Sequence, residues 1–191
     1  MKGNLYVMVG VPGSGKSTVA KSVAAQKEGT VIVSSDALRK KYFGDESKLY
    51  DKAFLEPYFE AAEIPEELRN DEKYLIKAGH AFIFATADEM VATYLMMGRD
   101  VIYDATNLRR FARTEILKKF NRFRDKAYIV YVDCPLELAL QRNVARSRVV
   151  PEPVVRAMYA NLEVPVPHEA AKRGWVPRSE DWTDVITVSM R

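Results

Sequence analysis

The sequence predicts an α/β fold built on a mostly parallel sheet with helices on both faces. Three observations lead there. Short apolar runs alternate with amphipathic stretches along the chain. The runs are continuously apolar, in the manner of strands buried on both sides, and a glycine-rich turn joins the first run to the first helical stretch. At 191 residues, 48% hydrophobic and 29% charged, the chain suits one domain, 1–191, with a substantial core, and its apolar content excludes disorder as the main state.

Leu5-Tyr6-Val7-Met8-Val9 reads as the first strand, closed by Gly10, and a helix is expected from about Lys16 to Lys27. Thr30 to Val33 reads as a second strand ending at Ser34-Ser35-Asp36, and Val101-Ile102-Tyr103 as a third ending at Asp104. Ala127 to Val132 is a fourth, before Asp133, and Val185 to Val188 a fifth. The longest helical pattern runs from about Asp71 to Met97, with Phe82, Ile83, Thr86, Met90, Tyr94 and Met97 close to one stripe. Arg109–Phe123 and Pro135–Ala145 are amphipathic, and Pro151–Leu162 reads as a shorter helix. Phe43–Asn70 reads as an irregular acidic insertion with Pro57 and Pro65, and Pro165–Asp181 as an irregular stretch folding back over the domain.

Composition narrows the possibilities further. No apolar run nears the roughly 18 residues of a bilayer span, and Met1–Leu5 lacks a signal peptide's apolar core. A single cysteine, Cys134, excludes an intramolecular disulfide framework and a thiolate-rich zinc site. The expectation is a soluble cytoplasmic protein with no membrane partner. Net charge is only +3, yet residues 44–72 hold ten acids against three bases and residues 105–126 hold eight bases against two acids. The second stretch is either a basic face that meets phosphates or a solvated helix face.

Gly10-Val11-Pro12-Gly13-Ser14-Gly15-Lys16-Ser17, with Thr18 next, matches G-x-x-x-x-G-K-[ST]. Glycines let such a loop curl until its backbone N–H groups point at a polyphosphate, and the following helix presents its N-terminus to the same anion. Lys16 then reaches the β- and γ-phosphates, and the Ser17 hydroxyl can ligate Mg²⁺. Ligands of an open parallel sheet sit outside the strands' carboxyl ends, which selects Asp36 and Asp104 as carboxylates that take a proton from a hydroxyl or hold waters around Mg²⁺. Asp36 could instead cap a helix, and Asp133 is expected to be a cap. Arg109, Arg110 and Arg113 follow Asp104. Arg142 and Arg146 stand four apart and are expected on one helix face. Arg110, Arg148 and Arg156 also suit plain surface. His80 and His168 lack a partner at metal-ligand spacing and read as satisfied or surface side chains; Cys134, Trp175 and Trp182 read as packing.

On these residues the chain resembles the phage-type 5′-polynucleotide kinase domain, within the P-loop kinases of the AAA_33-like family. The matching pieces are Gly10 to Thr18, Ser35-Asp36-Ala37-Leu38-Arg39, Asp104-Ala105-Thr106-Asn107, Arg142-Asn143-Val144-Ala145-Arg146, and the run from Val150-Pro151 to Met158-Tyr159, over about residues 3 to 162. The resemblance implies a three-layer P-loop NTPase fold with strand order 2-3-1-4-5, a helical lid over 142–162 and a C-terminal segment, 163–191, carrying the last strand. It implies ATP and Mg²⁺, with Gly13, Ser14, Gly15, Lys16, Ser17, Thr18, Arg142 and Arg146 binding the nucleotide and Ser17, Asp36 and Asp104 serving the metal. Lys16, Asp36, Arg39, Asp104 and Arg146 would carry the chemistry: Asp36 as general base, Arg39 on the acceptor's own phosphate, Asp104 organising the site, Arg142 and Arg146 closing on ATP. A nucleic acid 5′ end is the expected substrate. No D-x-D-x-T phosphatase signature is present, and the acidic 44–72 stretch would repel a nucleic-acid backbone. Kinases of a small molecule, a modified base or an aminoacyl-tRNA therefore stay open, as do an NTPase switch and a module that only binds. Oligomeric state is not readable.

Overall fold

The computed structural model describes residues 2–44, 52–166 and 183–190. Its strands are β1 (Leu5–Val9), β2 (Val31–Ser34), β3 (Val101–Asp104), β4 (Ala127–Asp133) and β5 (Asp184–Ser189). They form one parallel sheet in the order β2-β3-β1-β4-β5, as the resemblance implies. Leu5 pairs with Val101 on one side and Ala127 on the other, so β1 is central. The continuous apolar character of β1, β3 and β4 has its cause here, since every residue of β3 and all but the second of β1 are buried. The order places the turn after β1 beside the carboxyl end of β3.

The helices among the described residues are α1 (Lys16–Gln26), α2 (Ser35–Phe43), α3 (Lys52–Ala61), α4 (Glu66–Arg69), α5 (Glu72–Met96), α6 (Arg110–Phe120), α7 (Leu136–Val144) and α8 (Glu152–Ala160). The chain packs as two compact units, one from Ser34 to Met90, the other comprising residues up to Val33 and from Val91 onward. In the larger unit Met8, Ala20, Ile102, Val130 and Val132 form one core cluster. A second, of Val11, Leu108, Cys134 and Ala139, underlies the loop region. The smaller unit has its own apolar centre of Leu55, Phe59, Leu75 and Ala78. Beside it lies a cluster of rings, with Phe82 edge-on to Tyr42, Phe43 and Phe54.

Several expectations change. The stretch from Phe43 to Asn70 is helical over α3 and α4, and α3 carries Pro57 inside it. The ion pair of Arg69 Nη1 with Glu56 at 2.6 Å ties the two helices, so the acidic composition conceals local pairing. The buried stripe of α5 is Ile83, Ala87, Val91 and Leu95, an i, i+4 row; Met97 is 65% exposed and lies past the helix end. Asp36 is not a cap: Ser34 is, its hydroxyl accepting from the Ala37 N–H, while Asp36 sits in the first turn of α2. Asp133 is not a cap either, because α7 starts after Pro135 with no side-chain cap, and Asp133 accepts from the Tyr131 hydroxyl at 3.2 Å. Burial, followed by the Asp133 charge, pushes Tyr131 up to about 12, which keeps it a donor. His168, Trp175, Trp182 and most of the expected fold-back stretch lie outside the described residues.

Candidate active site

Backbone conformation sets the phosphate loop. Gly13 (φ 80°) and Gly15 (φ 95°) occupy the left-handed region, and Gly15 is the residue from which α1 starts. A Cβ on Gly13 would stand 2.1 Å from the Ala139 carbonyl oxygen, so the loop lies directly against α7 and only glycine fits. Ser14 is fully buried, Lys16 is nearly so, and the Lys16 Nζ donates to the Val11 carbonyl at 2.8 Å, folded over the loop. Ser17 and Thr18 are exposed at the helix start, where the first-turn N–H groups point out of the helix toward an anion.

Asp104 meets this loop. Its carboxylate is 5% exposed, and Oδ2 accepts from the Ser17 hydroxyl at 2.7 Å. Two further bonds hold the ends of β1 and β3 together: Gly10 N–H to the Thr106 carbonyl at 3.1 Å, and Asn107 Nδ2 to the Met8 carbonyl at 2.9 Å. Asn107 adopts φ 46°, a conformation asparagine tolerates better than most residues.

Arg142 and Arg146 do not share a helix face, because α7 ends at Val144 and Arg146 lies in the turn beyond, its N–H donating to the Asn143 carbonyl. Arg142 nonetheless reaches the loop, since its Nη1 would stand 3.7 Å from a Cβ on Gly15. Between them the buried Asn143 side chain spans to Val150, donating to its carbonyl at 2.7 Å and accepting its N–H at 3.2 Å. Burial pushes the nearby Cys134 thiol up, against the cations of Arg142 and Lys16, so it is an inert packing group as expected.

The arginines after Asp104 separate. Arg113 is fully buried and donates to the carbonyls of Asn107, Leu108 and Glu163, so it braces the loop after β3 instead of facing phosphate. Arg109 is exposed, bonds to Asn161 Oδ1 at 3.0 Å, and borders an open cleft of about 440 Å³ with Leu108, Pro153, Val154, Ala157 and Met158. Arg156 pairs with Glu152 and Glu137 on the surface, as its plain reading expects.

In the smaller unit Asp36 and Arg39 form an ion pair, Nη1 to Oδ1 at 2.9 Å. Arg39 Nη2 stands 3.5 Å from His80 Nδ1, and its guanidinium carbon 5.7 Å from the centre of the Phe84 ring. His80 and Phe84 are one turn apart on α5. Sequence reasoning placed neither beside Asp36; the i, i+4 spacing of a histidine and an aromatic was the one available signal.

Ser17 and Asp104 offer two oxygen donors of the hard type that Mg²⁺ prefers. Among the described residues no trio of histidine, cysteine, aspartate or glutamate converges on a metal site. Two protein oxygens suit an ion that keeps waters and takes its remaining ligands from a nucleotide's phosphates, so the residues fit the metal.

A glycine loop curled onto a helix N-terminus, a lysine lying over it and a carboxylate at the neighbouring strand end define a P-loop nucleotide-binding domain of the kinase type. The chain belongs to the AAA_33 family, described as an AAA domain, which matches residues 5–165. It is 24% identical over 165 residues to the L-seryl-tRNA(Sec) kinase of Methanococcus maripaludis, a match covering 84% of this chain and 53% of that protein, so the chain spans about half its relative's length. Its fold is similar to a chain of the Pnkp1/Rnl/Hen1 RNA repair complex, at 19% identity and a TM-score of 0.62, over 95% of this chain and 50% of that one. It is also similar to a sugar kinase from Janibacter sp. HTCC2649, at 19% identity and a TM-score of 0.59, over 99% and 86%. What the two structures share with this chain is the fold.

Proposed function

We propose that the protein is an ATP- and Mg²⁺-dependent kinase that phosphorylates the 5′-hydroxyl of a polynucleotide, DNA or RNA. The observation that carries this reading is the Ser17–Asp104 hydrogen bond under an intact phosphate loop, which joins the donor-phosphate cradle to a strand-end carboxylate. Lys16 offsets charge on the β- and γ-phosphates. Asp36 accepts the acceptor hydroxyl's proton as its oxygen bonds to the γ-phosphorus and the bond to the ADP oxygen breaks. Arg142 and Arg146 steady the transferring group. Ser17, with Asp104 and Asp36 acting through waters, would hold Mg²⁺, which would neutralise phosphate charge. For a nucleic acid end speaks the cleft beside exposed Arg109, a basic residue that follows Asp104 closely.

Incubation with γ-labelled ATP and 5′-hydroxyl oligonucleotides tests the reading directly. Label should appear on the 5′ end; no transfer to any DNA or RNA oligonucleotide would sink it. A second reading is phosphorylation of a small molecule, a modified base or an aminoacyl-tRNA. The exposed glutamates on and between α3 and α4, Glu60, Glu63, Glu66 and Glu67, which repel a phosphate backbone, favour the small molecule, and the likeness to an aminoacyl-tRNA kinase favours the last. Its relative from Methanococcus maripaludis is a kinase of that kind. ADP release with such acceptors and none with oligonucleotides would select it.

A further inference from the structure

The resemblance assigns Arg39 to the acceptor's own phosphate, but its surroundings suit another task. The Arg39 side chain is only 11% exposed, whereas its partner Asp36 is 40% exposed. A cation meant to seize an incoming phosphate is best presented to solvent; here the carboxylate is presented and the cation is tucked behind it. Contacts reach the guanidinium from two elements. Asp36 approaches from one turn earlier on α2, at 2.9 Å, while His80 and Phe84 approach from α5. Each uses a different property of the planar group: an N–H edge to a carboxylate, a second N–H edge to a ring nitrogen that accepts in the Nε2-protonated tautomer, and the flat face over a ring.

We propose that Arg39 is a positioning residue: His80 and Phe84 hold its guanidinium, and the guanidinium holds the Asp36 carboxylate in one rotamer for the acceptor hydroxyl. The inference rests on Asp36 being the base of the proposed kinase, and deepens that reading. An aspartate in the first turn of a helix has several staggered χ1 wells, and a base that samples them spends part of its time misdirected. Fixing the carboxylate through a partner that is itself fixed is the logic by which catalytic bases are oriented by a third group.

Steady-state kinetics with two acceptors separates positioning from phosphate binding. One acceptor is a nucleoside 3′-phosphate with a free 5′-hydroxyl, the other the same nucleoside without the phosphate. Arg39→Lys and Arg39→Gln are expected to lower kcat by about 100-fold on both acceptors alike, with the KM for ATP and for each acceptor nearly unchanged. His80→Ala should give a smaller loss of the same kind, and His80→Gln, which keeps an acceptor atom, should restore most of it. A rise in KM confined to the phosphate-bearing acceptor, with kcat intact, would overturn the proposal and return Arg39 to phosphate binding. Should Asp36→Asn retain wild-type turnover, the assignment of Asp36 as base fails and the proposal with it; should the wild type transfer phosphate to no acceptor, the kinase reading itself fails. Crystal structures supply a readout that needs no acceptor: Asp36 is expected in one conformer in the wild type and in more than one in Arg39→Gln. An unchanged Asp36 in that variant would also overturn the proposal.

Discussion

In the larger unit the phosphate loop is held by backbone, while in the smaller unit Asp36 and Arg39 are held by side chains. Gly13 and Gly15 take left-handed dihedrals and the chain lies against α7 with no room for a methyl group. Asp36 owes its place to a guanidinium, which touches an imidazole and a phenyl ring. Backbone placement is all-or-none, since one added atom must displace a carbonyl. Side-chain placement fails by degrees, each partner lost loosening the group without unfolding the helix under it. The phosphate loop is thus the rigid part, and the proposed base with its partners is open to stepwise change.

Gly13→Val strikes the rigid side hardest. Overpacking against Ala139 and a β-branched residue at positive φ together cost about 4 kcal/mol, so calorimetry should find nucleotide binding abolished or the midpoint of thermal unfolding sharply lower. Wild-type affinity in that variant would break the comparison. Lys16→Ala removes the loop's charge together with its bond to the Val11 carbonyl; transfer should fall by at least about 100-fold in single-turnover assays. Asp36→Asn should slow transfer by about 100-fold while ATP binding, followed by titration calorimetry, stays near wild type. Strongly weakened ATP binding there would show the carboxylate's part in holding the metal to outweigh its part as base.

The smallest effect concerns stability at the far end of the sheet. Asp100 is buried, accepts from the Asn4 N–H at 2.9 Å and pairs with Lys27. Burial is the largest influence and works to raise it, but the Asn4 N–H, the Lys27 ammonium and the Asn4 amide together hold its carboxyl below the ordinary range. Asp100→Ala strands the Asn4 N–H and should cost about 2 kcal/mol in urea unfolding. Because the folded-state pKa is depressed, this contribution is complete above the unfolded value of roughly 4 and is lost as pH falls through the folded one. The gap between wild type and variant should therefore narrow below about pH 4, and a gap constant down to pH 2 would count against the ion pair.

Sequence legibility divides along the same line. The five strands and the phosphate loop were readable because each is coded locally: continuous apolar runs, glycines at fixed spacing, a lysine and serine opening a helix; the strand order came only from the family resemblance. That Asp104 faces the phosphate loop was expected from its place at a strand's carboxyl end; its bond to Ser17 was not. What escaped is coded at a distance. Nothing in the sequence joins His80 and Phe84 to Arg39, because α2 and α5 are separated by two intervening helices. Arg113 counts as one more positive charge in a basic stretch until the fold wraps three carbonyls around it. The helices of 52–69 were hidden by Pro57 and by acids whose pairing with Arg69 no local pattern reveals.

The Asn143 clasp on Val150 has a consequence for the proposed kinase, in which the arginine segment closes on a nucleotide. Both ends of the short stretch bearing Arg146 and Arg148 are tied by one buried amide. The entropy of closing that loop has therefore been spent at the folding stage, not at the binding step. An untethered strand would sample a large volume before finding the phosphates, whereas this one searches only the small arc its two anchors allow. Affinity gained this way comes from restricting the free protein, with no contact added in the complex.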